Sequence, residues 1–393
     1  MPREVAVPLD PIFSDRLSTH RRYLMGQAIN RVKVLLRWFS PDAVFQRLPL
    51  RRRPRAGGRN GPAVAQISSV EVIRSASGGL KTVEPAPPAD PTATRQQARA
   101  RQRKAALAWD RKELATVGTP GPELRIEEHQ VAVSGYPAVR VRMYYPDSAT
   151  TGTVPVCLAF FGGAFRMGGI DFPTTDAAFR RRAAESGVAI AAVDYALAPE
   201  HRYPTQVHQG YAALDWLFDQ ADALGVNSGR VAIAGVSAGG NIAAAVTLMN
   251  RERSRYPIRL QLLEVPVVDL TGRNIDLAPT RAMRIPSVLA IRELRSVART
   301  YLARREQARE PWASPLLAES HADLPPAYIL TAEYDPLRGD GAAYAAALRR
   351  ADIDASAVQY LGVTHDTVIF TAVLPAARRW HRDVIEILRM LHD

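Results

Sequence analysis

The chain has 393 residues, 47% of them hydrophobic, and carries 51 Lys and Arg against 39 Asp and Glu, a formal charge of +12. That apolar content supplies a large core and excludes disorder throughout the chain. A lone cysteine, Cys157, excludes a disulfide framework, and no apolar run approaches the ~18 residues of a membrane helix.

The positive charge is confined to the front. Residues 1–112 hold 22 Lys and Arg against 8 Asp and Glu, a net of +14, whereas residues 113–393 hold 29 against 31, a net of −2. An anionic partner is therefore suggested only for a basic N-terminal extension, 1–112. Met1 to Asp15 has acids and prolines but no apolar core. It does not read as a secretory signal, and a cytoplasmic location is the expectation. Residues 14–48 repeat apolar residues at helical spacing, through Ile29, Val32, Leu35, Leu36 and Phe39, until Pro41 limits the helix. A basic loop at 49–62 includes RRRPR at 51–55. One strand is predicted within 64–74, a Pro-rich linker over 84–93, and a helix over 95–115 with Trp109 and Leu114 as anchors.

From about residue 124 the texture changes. Alternation over 129–145 predicts a hairpin turning near Gly135. Short apolar runs follow at 156–161, 188–195, 230–235, 260–265, 327–332 and 357–361. Helical stretches fall near 175–186, 206–223, 239–253, 338–351 and 375–392. Continuous apolar strands alternating with helices predict an α/β domain, 113–393, with a mostly parallel sheet covered on both faces. Some sixty residues separate Val265 from Ala327, far more than a crossover needs, and 287–307 within them reads as helix. An insertion there, about 270–312, is placed to cover a site.

Gly235-Val236-Ser237-Ala238-Gly239 fits G-x-S-x-G, with a strand before it and an Ala-rich helix after it. That context is what a nucleophile elbow requires, because the glycines permit a tight turn that exposes the serine. Serine needs a base and an orienting acid, which should follow in the order Ser, Asp or Glu, His, each after a later strand. Asp335 and His365 stand in those places. Glu333, Asp340 and Asp366 compete for the acid role. An oxyanion needs backbone N–H donors. Gly162 and Gly163, after the first central run, and Ala238, after the nucleophile, could supply them. Phe161, Ala164 and Phe165 are candidates for the substrate pocket. No HExxH or ligand-spaced histidines occur, so no metal site is expected.

With these residues in place, the chain resembles the hormone-sensitive-lipase-like esterases of the α/β-hydrolase fold. The matching stretches lie between about 129 and 392 and include VDYALAPEHRYP (193–204), GVSAGGN (235–241), SPLLA (314–318), the long segment 324–351 and GVTH (362–365). The resemblance implies a serine carboxylester hydrolase for short- to medium-chain or small-molecule esters, with no metal or organic cofactor. It assigns Ser237, Asp335 and His365 to the triad positions. Two departures stand out. Phe161-Gly162-Gly163-Ala164 replaces the family's His-Gly-Gly-Gly, and the Phe161 ring could instead hold the loop by packing or line the acyl pocket. Val236 replaces the acid common before the serine. Asp194 and Glu200 are family-like and read as loop-holding residues.

The resemblance also implies a helical cap, built from the N-terminal segment 14–39 and the insertion at about 270–312. Leu17, Tyr23, Leu24, Leu35, Trp38 and Phe39 would then line the pocket. The basic front could instead make peripheral membrane contact, and a solvated basic segment is the commonest explanation of such charge. Nucleic acid is disfavoured, because aromatics are sparse around its charges. A homodimer is admitted by the resemblance. Two other readings of the same residues are acyl transfer on the same triad, and a weakly catalytic binding protein with an esterase fold.

Overall fold

A computed structural model describes residues 7–14, 16–17, 91–150 and 152–393. The loop expected at 49–62, the strand within 64–74, all of the helix of 14–48 beyond Leu17, and the pocket candidates Tyr23, Leu24, Leu35, Trp38 and Phe39 lie outside these residues. Leu17 is half-buried and belongs to a separate unit, 15–99. The other unit joins residues 1–14 to 100–393.

Eight strands form one sheet in the order β1-β2-β4-β3-β5-β6-β7-β8. The hairpin is β1 (Arg125–Val133) and β2 (Tyr136–Tyr145), and Gly135 turns it with φ 76°. The hairpin starts four residues earlier than the alternation suggested, because Arg125 to Glu128 pair with Tyr145 to Arg142. β2 runs antiparallel to β4 (Ala189–Asp194), and every later pairing is parallel. β3 (Val154–Phe160), β5 (Val226–Val236), β6 (Ile258–Glu264), β7 (Ala327–Tyr334) and β8 (Ala355–Thr364) complete the sheet. All seven residues of β3 are buried, as expected of a strand covered on both faces, whereas exposed and buried positions mix along the edge strand β1.

The longer helices among the described residues are α1 (Pro91–Thr116), α2 (Pro173–Ser186), α3 (Thr205–Asp219), α4 (Ala238–Glu252), α5 (Ser287–Tyr301), α6 (Arg338–Arg350) and α7 (Pro375–Arg389). α4 is buried at every position from Ala238 to Asn250, and its small side chains let it lie against the sheet. Several helix boundaries differ from the sequence reading. The helix expected over 206–223 breaks at Gln220, and a short turn, Ala221–Leu224, follows and ends at Gly225 in the left-handed region. α5 stops at Tyr301, and a 3-10 turn takes over at Arg305. α1 begins at Pro91, inside the expected linker, because proline is tolerated in a first helical turn.

The domain boundary also differs from the expected 112/113. α1 from Ala100 onward belongs with the α/β unit. Asp110 accepts hydrogen bonds from the Thr174 N–H at 2.9 Å and hydroxyl at 2.6 Å, and so caps α2. Arg103 pairs with Glu200 at 2.8 Å. Residues 7–14 join the same unit: Asp10 N–H donates to the Gly362 carbonyl at 2.9 Å, and Phe13 meets Phe370 edge-on. Among the described residues no helix is long and apolar enough to cross a membrane.

Candidate active site

β5, β7 and β8 all end at the same edge of the parallel sheet. Ser237 follows β5 with φ 55° and ψ −113°, a backbone conformation uncommon outside glycine. Its N–H donates to the Glu264 carbonyl at 2.8 Å, and its carbonyl accepts the Asn241 N–H at 3.1 Å. A Cβ on Gly235 would lie 2.2 Å from the Gly239 carbonyl oxygen, and one on Gly239 2.3 Å from that of Phe160. Only glycine fits at either position, and the crowded turn lifts the serine hydroxyl to the sheet edge.

His365 follows β8 and Asp335 follows β7. His365 Nε2 lies 3.0 Å from Ser237 Oγ, and His365 Nδ1 lies 2.7 Å from Asp335 Oδ2. Asp335 is 2% exposed, and its other oxygen accepts the Leu337 N–H at 2.9 Å. Burial alone lowers the pKa of His365. The Asp335 carboxylate outweighs this, Asp366 adds to it, and the pKa is pushed up to about 9. The site therefore favours the imidazolium.

The competing acids have other partners. Glu333 accepts the Gly362 N–H at 2.7 Å and the Val7 N–H at 3.2 Å, and ties the N-terminal segment to β8. Asp340 accepts the N–H groups of Val268 and Asp269 at 2.9 and 3.1 Å. Burial dominates its surroundings and pushes its pKa up to about 7, with the two N–H donors opposing.

The Gly162-Gly163 loop lies directly against the nucleophile. A Cβ on Gly162 would stand 3.1 Å from the Val236 carbonyl oxygen and 3.6 Å from Ser237 Cβ. Gly163 has φ 147°, and a Cβ there would meet the Met167 carbonyl oxygen at 1.9 Å. Ala238 opens α4, where first-turn N–H groups have no acceptor within the helix. Phe161 does both things open to it: it lines the cavity at Ser237 and packs the loop. Its ring stacks on Tyr195 with centroids 4.1 Å apart, and the Tyr195 hydroxyl donates to the Phe161 carbonyl at 2.8 Å. Tyr195 had not been singled out in the sequence, where its motif drew attention to Asp194 and Glu200. Asp194, at the end of β4, accepts from Arg140 of β2 at 2.9 Å and from the Ile170 N–H at 3.4 Å, and Glu200 pairs with Arg103 of α1.

A cavity of about 390 Å³ opens on Ser237 and His365, and Gly162, Gly163, Ala164 and Val236 line it. Phe165 is not among its walls. That expectation is corrected, since the ring is buried and stacks on Tyr301 at 3.8 Å. The expected cover also needs correction. No residue of the insertion at 270–312 lines this cavity, because the insertion packs to one side through Tyr301 on Phe165 and through the Arg166–Glu293 pair. Of the front's described residues, Ala106, Trp109 and Asp110 on α1 line the cavity, joined by Leu114 on the same helix, while the segment expected over 14–39 lies largely outside the described residues. Among the described residues no group of three or more His, Cys, Asp or Glu could hold a metal ion.

A serine on a strand–helix elbow, followed in the chain by an acid and a histidine at the ends of later strands, defines an α/β hydrolase. Comparison with known proteins agrees. The family model described as alpha/beta hydrolase fold matches residues 157–369. Carboxylesterase NlhH of Mycobacterium tuberculosis is 35% identical over 275 residues, covering 69% of this chain and 84% of its own. Esterase LipI of the same organism is 35% identical over 277 residues, with the same shares. Among solved structures, an esterase of Pyrobaculum calidifontis superposes with TM-score 0.66 at 32% identity, over 76% of this chain and 93% of its own. The metagenomic carboxylesterase EstE1 gives TM-score 0.66 at 34% identity, over 75% and 98%. The chain belongs to the hormone-sensitive-lipase-like family of α/β hydrolases.

Proposed function

We propose that this chain is a serine carboxylester hydrolase that works through an acyl-enzyme on short- to medium-chain or small-molecule esters. The observation that carries this reading is the hydrogen-bonded series from Ser237 through His365 to Asp335, with spans of 3.0 and 2.7 Å, at the mouth of a largely apolar cavity. The esterase and carboxylesterase names of its relatives support it.

Ser237 Oγ attacks the ester carbonyl as its proton passes to His365 Nε2. The N–H groups of Gly162, Gly163 and Ala238 receive the oxyanion. His365 returns the proton to the departing alcohol, then takes one from a water whose oxygen attacks the acyl carbon, and passes it to Ser237 Oγ as the acyl–Oγ bond breaks and the acid leaves. Asp335 keeps the Nδ1 proton on its own side and stabilises the imidazolium in both steps. Phe161 and Tyr195 replace a hydrogen-bonding histidine with a ring stack and a hydroxyl, and fix the oxyanion loop from behind. The small-molecule ester is the one partner this scheme requires. A cytoplasmic setting accords with the free, buried thiol of Cys157.

A fluorophosphonate probe tests the reading. Its phosphorus should bond to Ser237 Oγ with loss of fluoride, add the probe mass less HF to the Ser237 peptide and abolish ester hydrolysis in proportion. Labelling elsewhere, or none, would overturn it.

A further inference from the structure

The cavity at Ser237 has a polar part that the reaction scheme does not use. Arg182, Glu264, Trp380 and His381 line it together with Ser237 and His365. Arg182 and Glu264 form a buried ion pair, 7% and 0% exposed, with Arg182 Nη2 2.7 Å from Glu264 Oε1. Trp380 Nε1–H donates to Glu264 Oε2 at 2.8 Å, whereas Glu264 Oε1 meets Arg182 as an ion-pair contact and accepts no hydrogen bond.

Arg182 is less well supplied. A guanidinium has five N–H donors. Among the described residues only Nη2 meets an acceptor, and Nε is buried without a hydrogen bond. A buried cation with idle donors on a cavity wall is costly unless an acceptor enters the cavity.

The surrounding charges indicate which acceptor. Glu185 answers Arg181 at 3.2 Å, and His381 Nε2 lies 2.9 Å from the same carboxylate. Burial first, and then Arg181, hold the His381 pKa well below its ordinary value, so the ring is neutral near pH 7. Arg181 and Arg182 line the cavity with three carboxylates, Asp110, Glu264 and Asp366, and Glu185 stands behind Arg181, so the guanidiniums are already outnumbered. An incoming carboxylate would stand beside the buried Glu264 with no cation left to answer it. A neutral oxygen adds hydrogen bonds without adding charge.

We propose that Arg182 anchors a polar subsite of this cavity, and that the preferred esters carry a neutral oxygen acceptor, such as a ketone, hydroxyl or ether, away from the scissile bond. This rests on the esterase reading above. Arg182 acts on substrate choice and takes no part in bond making.

The test compares hydrolysis of three ester types matched in length: plain alkyl, ω-oxo and ω-carboxylate. The variable group is placed on the acyl side in one series and on the alcohol side in another. In one series the ω-oxo ester should exceed its alkyl counterpart in kcat/KM by about tenfold or more, the effect of a charge-assisted hydrogen bond. The ω-carboxylate ester should be the poorest. In Arg182→Met the ratio of ω-oxo to alkyl should collapse towards one. If that variant does not fold, Arg182→Met with Glu264→Leu removes the pair without leaving a buried charge, and the same collapse is expected. Equal rates on ω-oxo and alkyl esters in both series, a preference for the carboxylate, or a ratio unchanged in the variants would overturn the subsite and leave the esterase reading intact. Wild-type protein inert on all three types would overturn both.

Discussion

His365 Nε2 stands 3.0 Å from Ser237 Oγ although 128 residues separate the two in the chain. The parallel sheet brings them together, because β5 and β8 end at the same edge. The ring must be neutral to act as a base, and its pKa is held at about 9 against an ordinary 6.5. We therefore expect kcat/KM to rise with pH through an acid limb near 9. The same shift links to stability. A folded pKa raised above the unfolded one stabilises fully below about 6.5 and is lost as pH climbs through about 9. A pH–rate profile with its limb at or below 6.5 would contradict the dominance of Asp335 over burial.

Asp335→Asn keeps the shape of the acid and removes its charge. Activity should fall by about 10⁴-fold, the order found for the corresponding change in a serine protease triad. The acid limb of the surviving activity should move down towards the ordinary histidine range, because the main cause of the upward shift is gone. Steady-state kinetics across pH would read both effects together.

Tyr195→Phe leaves the ring stack on Phe161 but removes the 2.8 Å hydrogen bond to its carbonyl. A buried carbonyl left without its donor should cost about 1–3 kcal/mol of stability. If Tyr195 positions the oxyanion loop, kcat should fall about tenfold while KM changes little, since the loop acts on the transition state. Thermal unfolding with the kcat–KM split separates this from simple destabilisation.

Trp109 lies on α1, is 53% exposed and lines the cavity. Trp109→Ala should change stability by no more than about 0.5 kcal/mol, as for surface positions generally. KM should rise for longer acyl chains and stay nearly constant for acetate. Equal KM effects along a chain-length series would place α1 outside the substrate path.

The sheet and the triad were legible for a common reason. Backbone requirements leave local marks: G-x-S-x-G marks the elbow, and Asp335 and His365 each follow a short apolar run. The cavity was not legible in the same way. Phe165 sits beside the oxyanion glycines in sequence, yet its positive φ of 60° turns it under Tyr301. The wall formed by α1 depends on Asp110 reaching Thr174 and Arg103 reaching Glu200, contacts 64 and 97 residues apart that no local pattern records. Glu264 did leave a signal, as a lone charge closing the apolar run LQLLEV. A charged residue at the end of a buried strand implies a buried partner, and only the fold could name it as Arg182.

The central claim is that Ser237 carries the chemistry, and Ser237→Ala assayed on p-nitrophenyl butyrate tests it most directly. Alanine keeps the elbow's backbone and removes only the hydroxyl that faces His365. The account predicts a fall in kcat of about 10⁴-fold or more, with thermal unfolding close to that of the wild type. Hydrolysis within about tenfold of the wild-type rate by a folded Ser237→Ala protein would contradict it.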